Sequence, residues 1–306
     1  MSEAGPEAVP AAVHAAGPEA VPAAASPAEL PVAPAAGRAG RNLPVAIGVG
    51  LCLGAAILLT LYLVKPAFLA VVALAVGIGM WELVRALHVR SWRAPLIPLE
   101  VGLACVLALA YTTGREAMTV AMMLTALAIV VWRVAEGADG MLADIGAGLF
   151  ILVYTAFLAG FAALMLAPDD GARRVTAFIA TVVASDVGGY AFGVLFGRHL
   201  MAPTVSPKKS WEGLVGSTLA CVACGAVLFE TLFSRGHWWQ GAVFGVALVA
   251  SATVGDLGES MIKRDLGIKD MGTFLPGHGG LMDRLDSLLP SAPVAWLLLA
   301  AFIPVP

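Results

Sequence analysis

The segment KRDLGIKDMGTFLPGHGGLMDRLDS concentrates acidic, basic and glycine residues between two apolar stretches of the chain. Around its start, Asp256, Glu259 or Ser260, and Lys263 are spaced three or four residues apart and therefore share one face of a helix. Near its end, Asp283 and Asp286 stand at positions i and i+3, again on one face. Carboxylates this close repel one another unless a cation lies between them, and oxygen ligands without clustered Cys or His suit Mg²⁺. This spacing therefore predicts a metal site.

Basic residues interleave with these acids: Lys263, Arg264, Lys269 and Arg284. Metal-binding acids beside phosphate-binding bases are what phosphoryl chemistry requires, because that chemistry depends mostly on positioning and charge neutralisation. The PGHGG run between them can turn sharply and bring backbone N–H groups close to an anion. The alternative interpretation is a surface loop of mutually compensating salt bridges.

A second polar cluster, SDVGGYAFGVLFGRHL, places Asp186 near the middle of an apolar run, where a carboxylate costs about 2.5–3.5 kcal/mol. Gly189, Gly193 and Gly197 follow at four-residue intervals on the same helical face, a pattern typical of close helix packing. We therefore expect Asp186 to face protein or a water-filled cavity rather than lipid. The alternative is a structural hydrogen bond from Asp186 to a neighbouring helix.

The third cluster, SPKKSWEG, precedes an apolar run and supplies ammonium and hydroxyl donors beside the start of a helix. Its candidate phosphate-binding residues are Ser206, Lys208, Lys209 and Ser210. Donors of this kind at a helix N-terminus favour an anion-binding site. Lys208 and Lys209 also fit a simpler role as positive charges that fix the orientation of the protein in the membrane.

Membrane helices must position these clusters. Of 306 residues, 59% are hydrophobic, and the mean hydropathy is +0.88, which excludes an ordinary water-soluble domain. Repeated apolar runs of about twenty residues have the length of a membrane-spanning helix. We predict an all-α polytopic membrane protein with about nine spans, near 43–64, 67–87, 95–113, 117–135, 142–167, 175–196, 213–233, 239–261 and 286–304.

The distribution of Lys and Arg predicts the orientation. With a cytoplasmic N-terminus, thirteen of the 18 basic residues fall on the cytoplasmic side of the nine predicted spans. The positive-inside rule therefore predicts a cytoplasmic N-terminus and an external C-terminus. All three polar clusters then lie on the cytoplasmic side.

The N-terminal residues have a different composition from the rest. Residues 1–42 are mostly Ala and Pro, and AGPEAVPAA occurs twice, at 4–12 and 16–24. Such a segment has little to bury, so we predict a disordered tail at 1–42 and a transmembrane catalytic domain at 43–306.

The CVAC motif at 221–224 has no second cysteine pair. We interpret these cysteines as small buried residues of a membrane helix rather than as half of a metal site.

The sequence SMIKRDLGIKDMGTFLPGHGGLMDRLDS resembles the signature of the phosphatidate cytidylyltransferase family. That pattern reads Ser-x-x-Lys-Arg, four residues, Lys-Asp, then Pro-Gly-His-Gly-Gly, two apolar residues and Asp-Arg-x-Asp. Every fixed position is met, from Ser260 to Asp286. SDVGGYAFGVLFGRHLMAPTVSPKKSWEG resembles a second block of the family, with Ser210 where Thr is usual and with Val187 and Val194 in place of commonly polar residues.

This resemblance implies that the protein joins CTP to phosphatidate, giving CDP-diacylglycerol and pyrophosphate, with Mg²⁺ and allowance for a second cation. The implied metal ligands are Asp186, Asp256, Asp283 and Asp286. The implied phosphate-handling residues are Lys263, Arg264, Lys269, His278 and Arg284, together with Lys208 and Lys209; His278 would donate to a phosphate or only shape the turn.

The resemblance also implies an integral protein of the plasma membrane, a homodimer and no nucleic-acid partner.

Two alternative functions belong to other classes of membrane protein. A CDP-alcohol phosphotransferase would carry Asp-x-x-Asp-Gly-x-x-Ala-Arg, which the sequence lacks. A cation-coupled transporter would explain the intramembrane acids but not PGHGG beside four bases.

Overall fold

The computed structural model describes residues 54–272 and 280–305. The predicted tail at 1–42, part of the first predicted span, and His278 with its neighbours at 273–279 lie outside the described residues. In the described part the chain is a bundle of helices with one small β-hairpin. The helices are α1 (Gly54–Leu63), α2 (Lys65–Leu87), α3 (Leu96–Thr112), α4 (Arg115–Glu136), α5 (Met141–Ile151), α6 (Leu158–Leu166), α7 (Gly171–Phe196), α8 (Trp211–Leu232), α9 (Trp238–Leu266), α10 (Met282–Leu285) and α11 (Leu288–Phe302).

Seven helical segments among the described residues are long and apolar enough to cross a membrane. One of them, Met141–Leu166, combines α5 and α6 through a π-helical segment at Leu152–Phe157. The prediction of an all-α polytopic membrane protein is thus confirmed. Helices α1 and α3 correspond to the two remaining predicted spans and are shorter, so the count of nine stays a prediction.

The buried apolar side chains form two clusters. One is built on α2 to α6 and contains fully buried residues such as Met80, Leu103 and Ile129. The other joins α6 and α7 to α8, α9 and α11 around Phe229 and Phe244. Helices α7, α8 and α9, which border the polar clusters, are therefore packed together in the second of these clusters.

Glycines set the close approach of α7, α8 and α9. A Cβ added to Gly188 would lie 2.5 Å from the carbonyl oxygen of Gly216 on α8. The backbones of Gly225 on α8 and Gly241 on α9 face each other so closely that a Cβ on either would overlap the other's carbonyl. Such contacts need residues without side chains. Cys221 packs fully buried on α8 and donates to the carbonyl of Thr181, as expected for a small residue inside a helix bundle.

A two-stranded antiparallel hairpin connects α7 to α8. Its strands are β1 (Leu200–Ala202) and β2 (Ser206–Ser210), which pair Leu200 with Ser210 and Ala202 with Ser206. Sequence analysis did not predict it, because β1 is only three residues long and prolines stand in both the turn and β2. The hairpin places the SPKK residues directly before α8.

Candidate active site

The start of α8 is tied to the hairpin by side-chain caps. Ser210 Oγ accepts a hydrogen bond from Gly213 N at 3.1 Å, which satisfies one of the free amides at the helix N-terminus. The carboxylate of Glu212 accepts from the amides of Arg198 and His199 at 3.1 and 3.2 Å and lies 2.6 Å from Nδ1 of His199. These bonds fix the strand that carries Lys208 and Lys209.

Lys209 joins this hairpin to α9. Its Nζ lies 2.6 Å from Oδ2 of Asp256, and both side chains are less than half exposed. Further along α9, Arg264 Nε donates to the carbonyl of Val205 in the hairpin turn at 3.2 Å. The SPKKSWEG cluster and hairpin are therefore in direct contact with the α9 residues that begin the signature region.

Lys263 joins α9 to α10. Its Nζ lies 2.6 Å from Oε2 of Glu259 and 2.5 Å from Oδ1 of Asp283, and Glu259 is fully buried. Asp283 also accepts from the amides of Met271 at 3.3 Å and of Gly280 at 2.7 Å. The segment 267–281 between α9 and α10 is called the signature loop below. Asp283 thus contacts Lys263 and both described ends of this loop.

Three further carboxylates lie near this pair. The Asp186 carboxylate interacts electrostatically with Asp256, Lys209 and Arg284. Asp286 interacts in the same way with Asp256 and Glu259, and its Oδ1 accepts from the amide of Ser287 at 2.6 Å. The intramembrane Asp186 of α7 therefore belongs to the same polar region as the signature acids.

A cavity of about 240 Å³ opens between α7, α8, α9 and the hairpin. Of the predicted site residues, the following line it: Asp186, Lys208, Lys209, Ser210 and Asp256. Gly189 and Gly193 line it too, so the face that carries the glycine stripe and Asp186 borders α8 and this space, as the spacing predicts. Ser217 on α8 donates to the carbonyl of Ser185 at 2.7 Å and closes the inner end.

The other predicted residues that the structure describes do not line the cavity. Lys263 and Asp283 contact each other, and Asp286 accepts from the amide of Ser287, which does line the cavity. Arg264 and Arg284 are exposed, whereas Ser206 is partly buried in β2. Lys269 is exposed at the start of the loop, and His278 lies outside the described residues.

The donor set suits a hard divalent cation. Within 54–272 and 280–305, no three His, Cys, Asp or Glu side chains are close enough to hold a metal ion by themselves. Mg²⁺, however, typically takes one or two carboxylates and completes its shell with water and substrate phosphates. Asp256 and Asp286 supply such carboxylates, and the fully buried Glu259 lies beside them. The residues present therefore fit Mg²⁺ that is bound together with a phosphate substrate.

Two residues near the site had no part in the sequence prediction. Glu82 on α2 is buried against Met282, 200 residues away in the chain. In the sequence, Glu82 could have been noticed only as a lone acid within an apolar span. Tyr154 lies on the π-helical segment, a feature frequent at functional sites, and its buried hydroxyl lacks a hydrogen-bond partner among the described residues. Tyr154 interacts electrostatically with Glu259, Asp286 and Asp256.

Paired acids and bases beside a cavity at the ends of membrane helices define a membrane-embedded enzyme that handles phosphates. The chain matches the cytidylyltransferase family over residues 44–302, and it belongs to that family. The resemblance seen in the signature is thereby confirmed.

The chain is similar to curated proteins named phosphatidate cytidylyltransferase, in two cases over most of its length. It is 41% identical over 275 residues to the phosphatidate cytidylyltransferase of Mycobacterium bovis, covering 86% of this chain and 90% of that protein. The phosphatidate cytidylyltransferase of Mycobacterium leprae is 42% identical over 278 residues, 86% of this chain and 89% of that protein. That of Brucella suis is 38% identical over 151 residues, 48% of this chain and 56% of that protein.

Proposed function

We propose that this protein transfers the cytidylyl group of CTP to phosphatidate, giving CDP-diacylglycerol and pyrophosphate for phospholipid synthesis. The observation that carries the proposal is the contact between Lys209 of the hairpin and Asp256 of α9 beside the cavity. Together with the hydrogen bond from Arg264 to Val205, it links the two sequence blocks that resemble the family. The relatives named phosphatidate cytidylyltransferase support the same activity.

The reaction needs positioning more than acid–base chemistry. A phosphate oxygen of phosphatidate attacks the α-phosphorus of CTP in line, and the bond from that phosphorus to the bridging oxygen breaks as pyrophosphate leaves. A phosphomonoester has a second ionisation near pH 6, so the nucleophile is already largely ionised at neutral pH. Lys208, Lys209 and Lys263 would neutralise phosphate charge during this transfer. Arg264, Lys269, His278 and Arg284 complete the proposed phosphate-handling set, with Ser206 and Ser210 as hydroxyl donors.

The proposed ligands of Mg²⁺ are Asp186, Asp256, Asp283 and Asp286, with allowance for a second cation. When bound, the cation would supply charge stabilisation to the phosphates of CTP. Asp256 and Asp186 are the two of these acids that line the cavity. Asp283 reaches Lys263 and two backbone amides, so it would also fix the loop beside the cation.

We further propose that all site residues face the cytoplasm in a nine-span protein of the plasma membrane. The excess of Lys and Arg on that side supports this orientation. A cytoplasmic site also suits the substrates, because CTP is dissolved in the cytosol while phosphatidate lies in the bilayer. The homodimer implied by the resemblance remains part of the proposal, and chemical cross-linking in membranes tests it.

Pyrophosphate release provides the test of the activity. Purified protein with CTP and Mg²⁺ should release pyrophosphate when phosphatidate is present and not when diacylglycerol replaces it, since diacylglycerol lacks the attacking phosphate. A monodisperse protein that releases none but moves cations across vesicles would instead establish the transporter alternative.

A further inference from the structure

Glu82 is a buried carboxylate in an otherwise apolar helix. Glu82 is 1% exposed, and Met80 and Leu83 beside it on α2 belong to the first cluster of buried apolar side chains. Oε2 accepts a hydrogen bond from the amide of Met282 at 2.9 Å, whereas Oε1 has no hydrogen-bond partner among the described residues. Burying a carboxylate with an unsatisfied oxygen is costly, so its presence calls for a compensating role.

The carboxylate of Glu82 lies against both described ends of the signature loop. A Cβ added to Gly272 would overlap Oε1 of Glu82, and one added to Gly280 would lie 2.7 Å from Oε2. Asp283 contacts the same two ends, since it accepts from the amides of Met271 and Gly280. Two carboxylates, one from each half of the chain, therefore hold the same pair of backbone segments.

The contacts continue from Glu82 to the proposed site. Met282 is the first residue of α10 and directly precedes Asp283. Asp283 in turn lies 2.5 Å from Lys263, which also contacts the buried Glu259. A shift of the Met282 amide would move Asp283 and with it the lysine.

We propose that Glu82 is a positioning residue of the active site, which fixes Met282 and thereby holds Asp283 and Lys263 in their catalytic arrangement. The inference rests on the proposed function, because Asp283 and Lys263 are residues of that site. Glu82 itself touches no substrate. Its role requires an acceptor oxygen at this position and a glycine at 272.

Glu82→Ala and Glu82→Gln separate this role from a general effect on folding. Glutamine keeps an acceptor for the Met282 amide and alanine removes it. We expect Glu82→Ala to lower kcat at least tenfold at saturating CTP and phosphatidate, and Glu82→Gln to stay within about threefold of wild type. Glu100→Gln is the matched control, because Glu100 is a lone acid of the neighbouring helix α3 and lies against Gly77, away from the loop. It should leave kcat unchanged.

A Gly272→Ala variant tests the same contact from the other side. Its methyl group would displace the Glu82 carboxylate, so kcat should fall as in Glu82→Ala. In the Glu82→Ala background the methyl group has room, so the double variant should be no worse than Glu82→Ala alone, whereas independent effects would multiply.

Amide hydrogen exchange gives a readout that does not depend on activity. Exchange at 280–283 should accelerate in Glu82→Ala and not in Glu82→Gln or Glu100→Gln, with the rest of α2 unchanged. A Glu82→Ala protein with wild-type exchange at 280–283, or with kcat within twofold of wild type, would overturn the inference, as would equal losses in the alanine and glutamine variants. Failure of the proposed function would look different, since wild-type protein would then release no pyrophosphate.

Discussion

At the residue scale, two acids of the site are each matched by a lysine from another element. Asp256 on α9 meets Lys209 of the hairpin, and Asp283 at α10 meets Lys263 of α9. Opposite charges placed this way keep several ionised groups close together without a large net charge. Lys209 also lines the cavity in which substrate phosphates would bind.

Asp256→Asn tests the acid at the cavity wall. The amide keeps the size of the side chain but removes the charge that would hold Mg²⁺, so we expect a loss of kcat of about a hundredfold, or about 3 kcal/mol. Turnover per folded molecule across a Mg²⁺ titration is the measurement. Asp270→Asn is the control, because Asp270 is exposed in the loop and does not line this cavity.

The double variant of Asp256→Asn and Asp283→Asn adds a second comparison. If both acids serve one cation site, it should be little worse than either single variant, because residues that act as a unit are not additive. Full activity of Asp256→Asn with unchanged Mg²⁺ dependence would contradict the assignment.

Lys263 carries a prediction about stability. Lys263→Met leaves Glu259 and Asp283 uncompensated in a buried position, and breaking a buried pair costs about 3–5 kcal/mol. The unfolding transition in detergent should shift accordingly. Arg90→Met, which breaks the exposed pair with Asp265, should cost about 1 kcal/mol or less. Equal shifts in the two variants would show that Lys263 is not structurally important.

At this scale the spacing predicted that Asp186 shares a helix face with Gly189 and Gly193, and all three line the cavity, whereas the roles of the site residues stay a prediction. Glu82 could not be found in this way. Its contact with Met282 spans 200 residues and depends on how α2 packs against α10, which no local pattern encodes.

At the element scale, the bundle depends on helices that approach closely enough for their polar residues to meet. Apolar length predicted the helices well, because it reflects the thickness of the bilayer. The hairpin at 200–210 escaped prediction, because its short strands are stabilised by contacts with α8 and α9, such as Lys209 to Asp256, rather than by strand propensity.

Gly216→Ala tests the packing of α7 on α8. The added Cβ would overlap the side chain of Phe192 and lie 2.6 Å from the carbonyl of Gly188, so we expect a destabilisation of about 1–3 kcal/mol, measured by unfolding in detergent. Gly146→Ala is the matched control in α5, where a Cβ meets nothing within 4 Å. It should be neutral or slightly stabilising, because alanine favours helix more than glycine does. Equal effects would mean that α7 and α8 do not need this close contact.

At the scale of the whole molecule, the fold brings together the hairpin, helices α7, α8 and α9, and the two described ends of the signature loop. A site there can meet a dissolved nucleotide and a bilayer lipid together. Composition predicted the membrane class because so large an apolar fraction leaves few alternatives. The number of spans is harder to predict, since α3 has 17 residues and lies near the lower limit for crossing a bilayer.

Reporter fusions test the topology. Fusions after Arg41 and after Pro306 should report opposite sides of the membrane, with the first in the cytoplasm, because the positive charges cluster on one side of an odd number of spans. A third fusion in the hairpin turn, after Thr204, should report the cytoplasm. Finding the two ends on the same side would contradict nine spans.

The most direct test of the central claim follows the phosphorus atoms of CTP. Purified protein in mixed micelles with phosphatidate and Mg²⁺ should move a label on the α-phosphorus of CTP into the lipid, while a label on the γ-phosphorus should appear only in pyrophosphate. The Asp256→Asn variant should move about a hundredfold less of the α-label in the same time. Entry of the γ-label into lipid, or no transfer of the α-label by folded wild-type protein, would contradict the account.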